Sequence, residues 1–150
     1  MFGGQILIGS AMIALTVVIH IAGIIGLIAY LKVRGARIVG HRNYIVMTRV
    51  LVVTILGIFF VHTAEIWIWA ALYLWLGEFE TMERSLYFST VTFTTLGYGD
   101  ITLQERWQLL SSFEAANGII LFGVSTAFVF GVIRKLFEAA AIIRSEPDRR

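Results

Sequence analysis

Residues 94–100 of the chain, TTLGYGD, place two glycines at alternate positions, and we refer to this stretch as the glycine loop. Glycine adopts positive φ without a Cβ penalty, so Gly97 and Gly99 allow the backbone angles to alternate between regions. A backbone of this kind can point several successive carbonyl oxygens at one axis. Fixed dipoles in that arrangement can replace the water around a cation. The glycine spacing therefore suits coordination of a cation by peptide oxygens and does not by itself identify it.

Three long apolar segments flank or precede this loop. The 150 residues are 58% hydrophobic and 15% charged, with a mean hydropathy of +0.82, which excludes an ordinary soluble domain. A membrane-spanning helix needs roughly 20 apolar residues, and segments 5–31, 50–76 and 107–133 are long enough. Segment 82–93 is too short to span and fits a buried re-entrant helix. The composition predicts an all-α membrane protein with three transmembrane helices and one re-entrant helix.

Residues 85–100, SLYFSTVTFTTLGYGD, resemble the pore helix and selectivity filter of tetrameric potassium channels at nearly every position. The resemblance implies a pore domain over residues 50–136, preceded by an extra transmembrane helix and basic connection over 1–49 and followed by a short tail over 137–150. It also implies a homotetramer, because one loop per chain requires four chains to close a ring. The expected function is passive, potassium-selective conduction, with K+ as the permeant ion and no cofactor.

The same resemblance assigns roles to individual residues around the loop. K+ is expected to bind to the carbonyl groups of Thr95, Leu96, Gly97 and Tyr98. The Thr95 hydroxyl is expected at the inner end of the filter, and Gly99 completes the filter. The residues expected to support the filter are Tyr87, Phe88, Thr94 and Asp100.

Two of these supporting contacts are specific. Tyr98 is expected to point toward Tyr87 and Phe88, which form an aromatic cuff unless they are ordinary membrane-interface aromatics. Asp100 is expected to accept a hydrogen bond from the Tyr87 hydroxyl, or else to be a solvated acid at the pore mouth.

In the third apolar segment, counting from the filter places Ile120, Gly123, Ala127 and Phe128 on a central cavity. Phe128 could close a hydrophobic gate or simply pack. Gly118 is either a bending point, because glycine weakens a helix locally, or a site of close approach to the short helix.

Buried ionisable residues form a further candidate site. His62 and Glu65 are three residues apart and therefore share a helix face, and Glu114 lies in the third segment. Charge at this depth is unfavourable without partners, so we expect these three to form one hydrogen-bonded network with at least one protonated carboxyl. The network could be structural or could make opening depend on pH. The three residues lack a spacing diagnostic of a metal site.

Basic residues indicate the orientation in the membrane. Five lie in residues 32–49 and five after residue 133, whereas residues 77–106 carry two bases against five acids. The positive-inside rule places the N-terminus outside and the C-terminus in the cytoplasm of a cell-membrane protein, with the glycine loop toward the outer face. The lipid bilayer is the expected surrounding, and the charge pattern does not suit nucleic acid.

Two other functions remain open from the residues alone. One is a weakly selective cation channel of the same architecture, and the other is a non-conducting membrane accessory subunit. An enzyme is not expected, since no nucleophile with a supporting base stands out. The tail after Lys135 has 15 residues, which is too short for a soluble regulatory domain.

Overall fold

The computed structural model describes residues 2–35 and 44–145 of the chain. They form four α-helices, and no strand occurs in these two ranges. The helices are α1 (Phe2–Gly35), α2 (Tyr44–Trp75), α3 (Met82–Phe93) and α4 (Gln108–Ser145). Three stretches are long and apolar enough to cross a membrane, namely Phe2–Val33, Tyr44–Trp75 and Gln108–Glu138. The predicted all-helical membrane fold is confirmed, while parts of the basic connection and of the tail lie outside the described residues.

The short helix α3 has sharply defined ends. Thr81 is its N-cap, and its side chain accepts a hydrogen bond from the Arg84 amide at 3.3 Å, with Glu83 in the first turn. Before it, α2 ends at Trp75 and is followed by Gly77, whose φ of 75° is the left-handed conformation common after helices. A 12-residue helix is roughly 18 Å long, so α3 cannot cross a bilayer and must end inside the packed helices.

Helix α1 packs against both α2 and α4. Its contacts with α2 run in opposite directions along the two helices, joining His20 to Glu65, Gly23 to Val61 and Leu27 to Gly57. Its contacts with α4 run in the same direction along the two helices, joining Gln5 to Leu109, Gly9 to Phe113, Thr16 to Asn117 and His20 to Ser125. The first helix is therefore antiparallel to α2, parallel to α4 and in contact with both.

Glycine sets the distance between α1 and its neighbours. A Cβ on Gly23 would lie 2.5 Å from Val61 Cγ2, and a Cβ on Gly9 would lie 2.7 Å from the Phe113 ring. Small residues permit such approaches between membrane helices. A Cβ on Gly26, by contrast, would meet no described atom within 4 Å.

An aromatic core surrounds α3 on the side of α2. Phe88 lies edge-on to Tyr73 with ring centroids 5.2 Å apart, and Phe79 packs against both rings. The buried cluster continues with Trp69, Phe93, Leu103, Leu110 and Leu121. These contacts fix α3 and the loop that follows it between α2 and α4.

We expect Gly23→Ala to destabilise the protein relative to Gly26→Ala. Both substitutions change helix propensity equally, but only the first places a methyl group inside contact distance of the stiff Val61 side chain. The difference in unfolding free energy should be about 1–3 kcal/mol, measured by denaturation in detergent. Equal stability of the two variants would show that Gly23 does not set this helix contact.

Candidate functional site

The glycine loop has the alternating backbone expected from its sequence. Gly97 and Gly99 have φ values of 57° and 73°. Thr95 also lies at positive φ, 59°, which no sequence pattern indicated. For a β-branched residue this region is strained, so surrounding contacts must hold Thr95 there.

Those contacts are hydrogen bonds from the loop back to α3. The Thr95 amide donates to the Thr92 carbonyl at 2.9 Å, and the amides of Leu96 and Gly97 donate to the Val91 carbonyl at 2.9 and 3.2 Å. In a planar trans peptide the carbonyl points opposite to the amide N–H. The carbonyls of Thr94, Thr95 and Leu96 are consequently directed away from α3.

Side chains at the start of the loop differ in their partners. Thr94 Oγ1 donates to the Thr90 carbonyl at 2.7 Å, which ties this residue to α3. Thr95 is exposed, and its hydroxyl has no hydrogen-bond partner among the described residues. Every residue from 94 to 100 is exposed in the single chain, so both the Thr95 hydroxyl and the outward carbonyls are available to a ligand.

The predicted hydrogen bond between the Tyr87 hydroxyl and the Asp100 carboxylate is present at 2.7 Å. This hydrogen bond raises the pKa of the Tyr87 phenol, because the carboxylate accepts from the protonated form. The bond joins α3 to the last residue of the glycine loop and so fixes the end of the loop to this helix.

The predicted aromatic cuff is wrong for Phe88 within one chain. Phe88 is buried against Tyr73 and Phe79, while Tyr98 is 66% exposed and forms no ring contact in the described part of the chain. Consecutive helix residues point about 100° apart, so Tyr87 can face the loop only if Phe88 turns toward α2.

Gly118 packs directly against the end of α3. A Cβ at this position would lie 2.0 Å from the Phe93 carbonyl oxygen, and the residue is buried. The structure thus supports close approach at Gly118, which does not face a cavity. The other residues predicted to line a cavity lie elsewhere on α4, with Ile120, Gly123 and Ala127 exposed and Phe128 half-buried.

The predicted single network of His62, Glu65 and Glu114 is wrong, because the structure contains two separate clusters. Glu65 accepts or shares hydrogen bonds at 2.9 Å with Nδ1 of His62 and Nδ1 of His20. Both imidazoles reach Ser125 Oγ through Nε2, at 2.9 Å from His62 and 3.3 Å from His20.

Glu114 belongs to the second cluster, which joins α2, α3 and α4. Its carboxyl accepts from the Tyr73 hydroxyl at 2.7 Å and makes a short hydrogen bond with Ser89 Oγ, which also lies 2.9 Å from the Ile66 carbonyl. Ser89 has one hydroxyl proton, so it can donate to only one of these oxygens. All contacts are satisfied when Glu114 carries a proton and donates to Ser89 while Ser89 donates to Ile66.

Helix register explains the separation of the clusters. Tyr73 lies 11 residues after His62, and Ser125 lies 11 residues after Glu114, which is about three turns or roughly 16 Å on each helix. Since α2 and α4 run in opposite directions, Glu114 pairs with Tyr73 and Ser125 pairs with His62.

His20 is the functional candidate that sequence reasoning missed. It is fully buried and is the one histidine in a long apolar segment without Lys, Arg, Asp or Glu. A polar group at such depth needs a partner, and that rule could have singled it out. Its partner, however, lies 45 residues away in sequence.

The geometry defines a class of membrane protein in which a short helix holds a backbone-exposing loop between two spanning helices. The family model described as Ion channel matches residues 50–135, more than half of the 150 residues. The chain belongs to this ion channel family, which indicates a transport protein and not an enzyme. Comparison with curated proteins returned no match, and comparison with solved structures returned none either.

We expect Gly118→Ala to displace α3 from α4. The added methyl group would overlap the Phe93 carbonyl, a backbone atom that cannot rotate away, so the unfolding free energy should fall by about 1–3 kcal/mol. Gly131→Ala is the matched control, because its Cβ would meet no described atom within 4 Å. Unfolding in detergent measures both, and a Gly118→Ala protein as stable as the control would contradict the contact.

The hydrogen bond of Tyr87 predicts a specific response to alkali. Because the folded state raises the pKa of this phenol above its ordinary 10.0, the stabilisation is present at neutral pH and is lost only as the pH rises through the raised value. The difference between the ultraviolet pH titrations of the parent protein and of Tyr87→Phe isolates the signal of this phenol. In an Asp100→Asn background the phenol should titrate closer to 10.0, and an unchanged midpoint would refute the effect of Asp100.

Proposed function

We propose that the chain is a subunit of a potassium-selective channel that conducts K+ passively through the centre of a homotetramer. The observation that carries the proposal is the direction of the loop carbonyls. The carbonyl groups of Thr94, Thr95 and Leu96 turn away from α3, because the N–H of the same peptide group, on the next residue in each case, donates a hydrogen bond to α3. The sequence TLGYGD at this position resembles the TVGYG-type filter of potassium channels, with Leu96 in place of the commoner valine, and membership of the ion channel family supports a pore.

A tetramer is proposed because one chain offers oxygens on only one side of an ion. The loop is exposed over residues 94–100, including Leu96 at 54% and Tyr98 at 66%. Four copies around an axis would place a ring of oxygens at each level and would cover these apolar side chains. Tyr98 would then contact Tyr87 of a neighbouring subunit, since the Tyr87 side chain is 40% exposed in the single chain.

Charge supports an orientation with the glycine loop outside the cell. Residues 77–106, which include α3 and the glycine loop, carry Glu78, Glu80, Glu83, Asp100 and Glu105, against Arg84 and Arg106. Four copies of this acidic excess would raise the cation concentration at the mouth. The basic residues at the other ends of the spanning helices support a cytoplasmic C-terminus under the positive-inside rule.

The part of α4 from Ile120 to Phe128 is proposed to line the cavity on the cytoplasmic side of the filter. Ile120, Gly123 and Ala127 are exposed in the single chain, on a different side of the helix from the buried Glu114, Leu121 and Ser125. A tetramer would bring four copies of this exposed side together. Phe128, half-buried farther along α4, is the candidate for a hydrophobic constriction.

Flux through purified protein in liposomes tests the proposal. We expect K+ permeability to exceed Na+ permeability strongly, as shown by reversal potentials in opposed K+ and Na+ gradients. Gly97→Ala should abolish this preference, because a side chain at φ 57° costs about 1–2 kcal/mol in each of four chains, whereas Gly131→Ala should retain it. Equal K+ and Na+ permeability would instead indicate a weakly selective cation channel, and absence of flux an accessory subunit.

A further inference from the structure

A closed cluster of two imidazoles and one carboxyl group lies between α1, α2 and α4, and the proposed conduction path makes no use of it. His20 Nδ1 is 2.9 Å from one oxygen of Glu65, and His62 Nδ1 is 2.9 Å from the other. The three side chains are 0%, 8% and 0% exposed. Helix packing alone does not require two histidines and a carboxylate to meet between apolar helices, and these groups can bind a metal ion.

We propose that His20, His62 and Glu65 bind a divalent transition-metal ion of the zinc type. Two histidines and one glutamate, with a fourth position open, are an established ligand set for zinc. One ligand atom from each residue lies within 4.8 Å of the others, whereas ligand atoms about 2.0–2.1 Å from a tetrahedral ion lie roughly 3.3 Å apart. A tetrahedral site would therefore require these atoms to approach one another by at most about 1.5 Å.

Ser125 supplies the orientation that such a site needs. A metal-bound imidazole donates its other N–H to a fixed acceptor, which sets its tautomer. Ser125 Oγ lies 2.9 Å from His62 Nε2 and 3.3 Å from His20 Nε2. Its two lone pairs can accept from both rings at once, which leaves both Nδ1 atoms free to bind an ion.

The surrounding charges favour a cation at this position. No Lys or Arg occurs in segments 5–31, 50–76 or 107–133, so no basic side chain within these spans competes for the Glu65 carboxylate. Glu114 is hydrogen-bonded to Tyr73 and Ser89 and lies 11 residues before Ser125 on α4. An anionic ligand such as hydroxide in the open position would neutralise the one positive charge that remains.

An ion at this site would join the first helix to the channel domain. His20 lies on α1, outside the residues matched by the ion channel family, while His62 and Glu65 lie within them. The His62 ring is 5.9 Å from that of Phe93, the last residue of α3. Metal binding would therefore hold α1 against α2 next to the base of the glycine loop.

Binding of Zn2+ and Co2+ to the purified full chain tests the site without measuring ion flux, so its failure is separate from failure of the proposed function. We expect one Zn2+ per chain by elemental analysis after desalting, and the strong visible absorption of tetrahedral Co2+. Zn2+ should also raise the unfolding temperature. Weak octahedral Co2+ absorption, or no Zn2+ retained by the parent protein, would overturn the proposal whatever the variants do.

Variants assign the ligands. His20→Ala and His62→Ala should each abolish the Co2+ absorption, and Ser125→Ala should lower affinity about 10- to 100-fold, as for groups that orient a metal-bound imidazole. The matched control is His41→Ala, which removes the third histidine of the chain. Unchanged binding by a folded His20→Ala protein, or loss of binding in His41→Ala, would place the metal elsewhere and overturn the assignment.

Discussion

The position of the glycine loop depends on one hydrogen-bonded junction at which Ser89 of α3 meets Ile66 of α2 and Glu114 of α4. All three helices are anchored there by groups that an apolar medium leaves with no other partner. Gly118 lies one turn beyond Glu114 and admits the Phe93 carbonyl to van der Waals contact. The junction fixes the depth of α3, and the glycine fixes its distance from α4.

The end of α3 then determines the direction of the loop backbone. Amides of the loop fold back onto the final carbonyls of the helix, and peptide planarity turns the loop carbonyls outward. Positive φ at Thr95, Gly97 and Gly99 makes this reversal possible. Only glycine adopts that conformation freely, so the strain at Thr95 is borne by the hydrogen bonds on either side of it.

A second polar layer lies about one turn from Ile66 on α2 and about three turns beyond Glu114 on α4, where His62 faces Ser125. His20 completes this layer from α1. Periodicity identified His62 and Glu65 as neighbours because three residues separate them on one helix. It could not assign Glu114 to the other layer, since that depends on the register between two antiparallel helices, which local spacing does not contain.

The sequence by itself determined the three spanning helices, the short helix at 82–93 and the positive φ of Gly97 and Gly99, and the resemblance to potassium channels predicted the bond from Tyr87 to Asp100. Each follows from composition, from local backbone chemistry or from a motif within about 15 residues. Only the tertiary structure decided that Gly118 receives the Phe93 carbonyl, that Phe88 faces α2, and that His20 joins Glu65. Those outcomes depend on how helices distant in sequence rotate and slide against one another until their buried polar groups are paired.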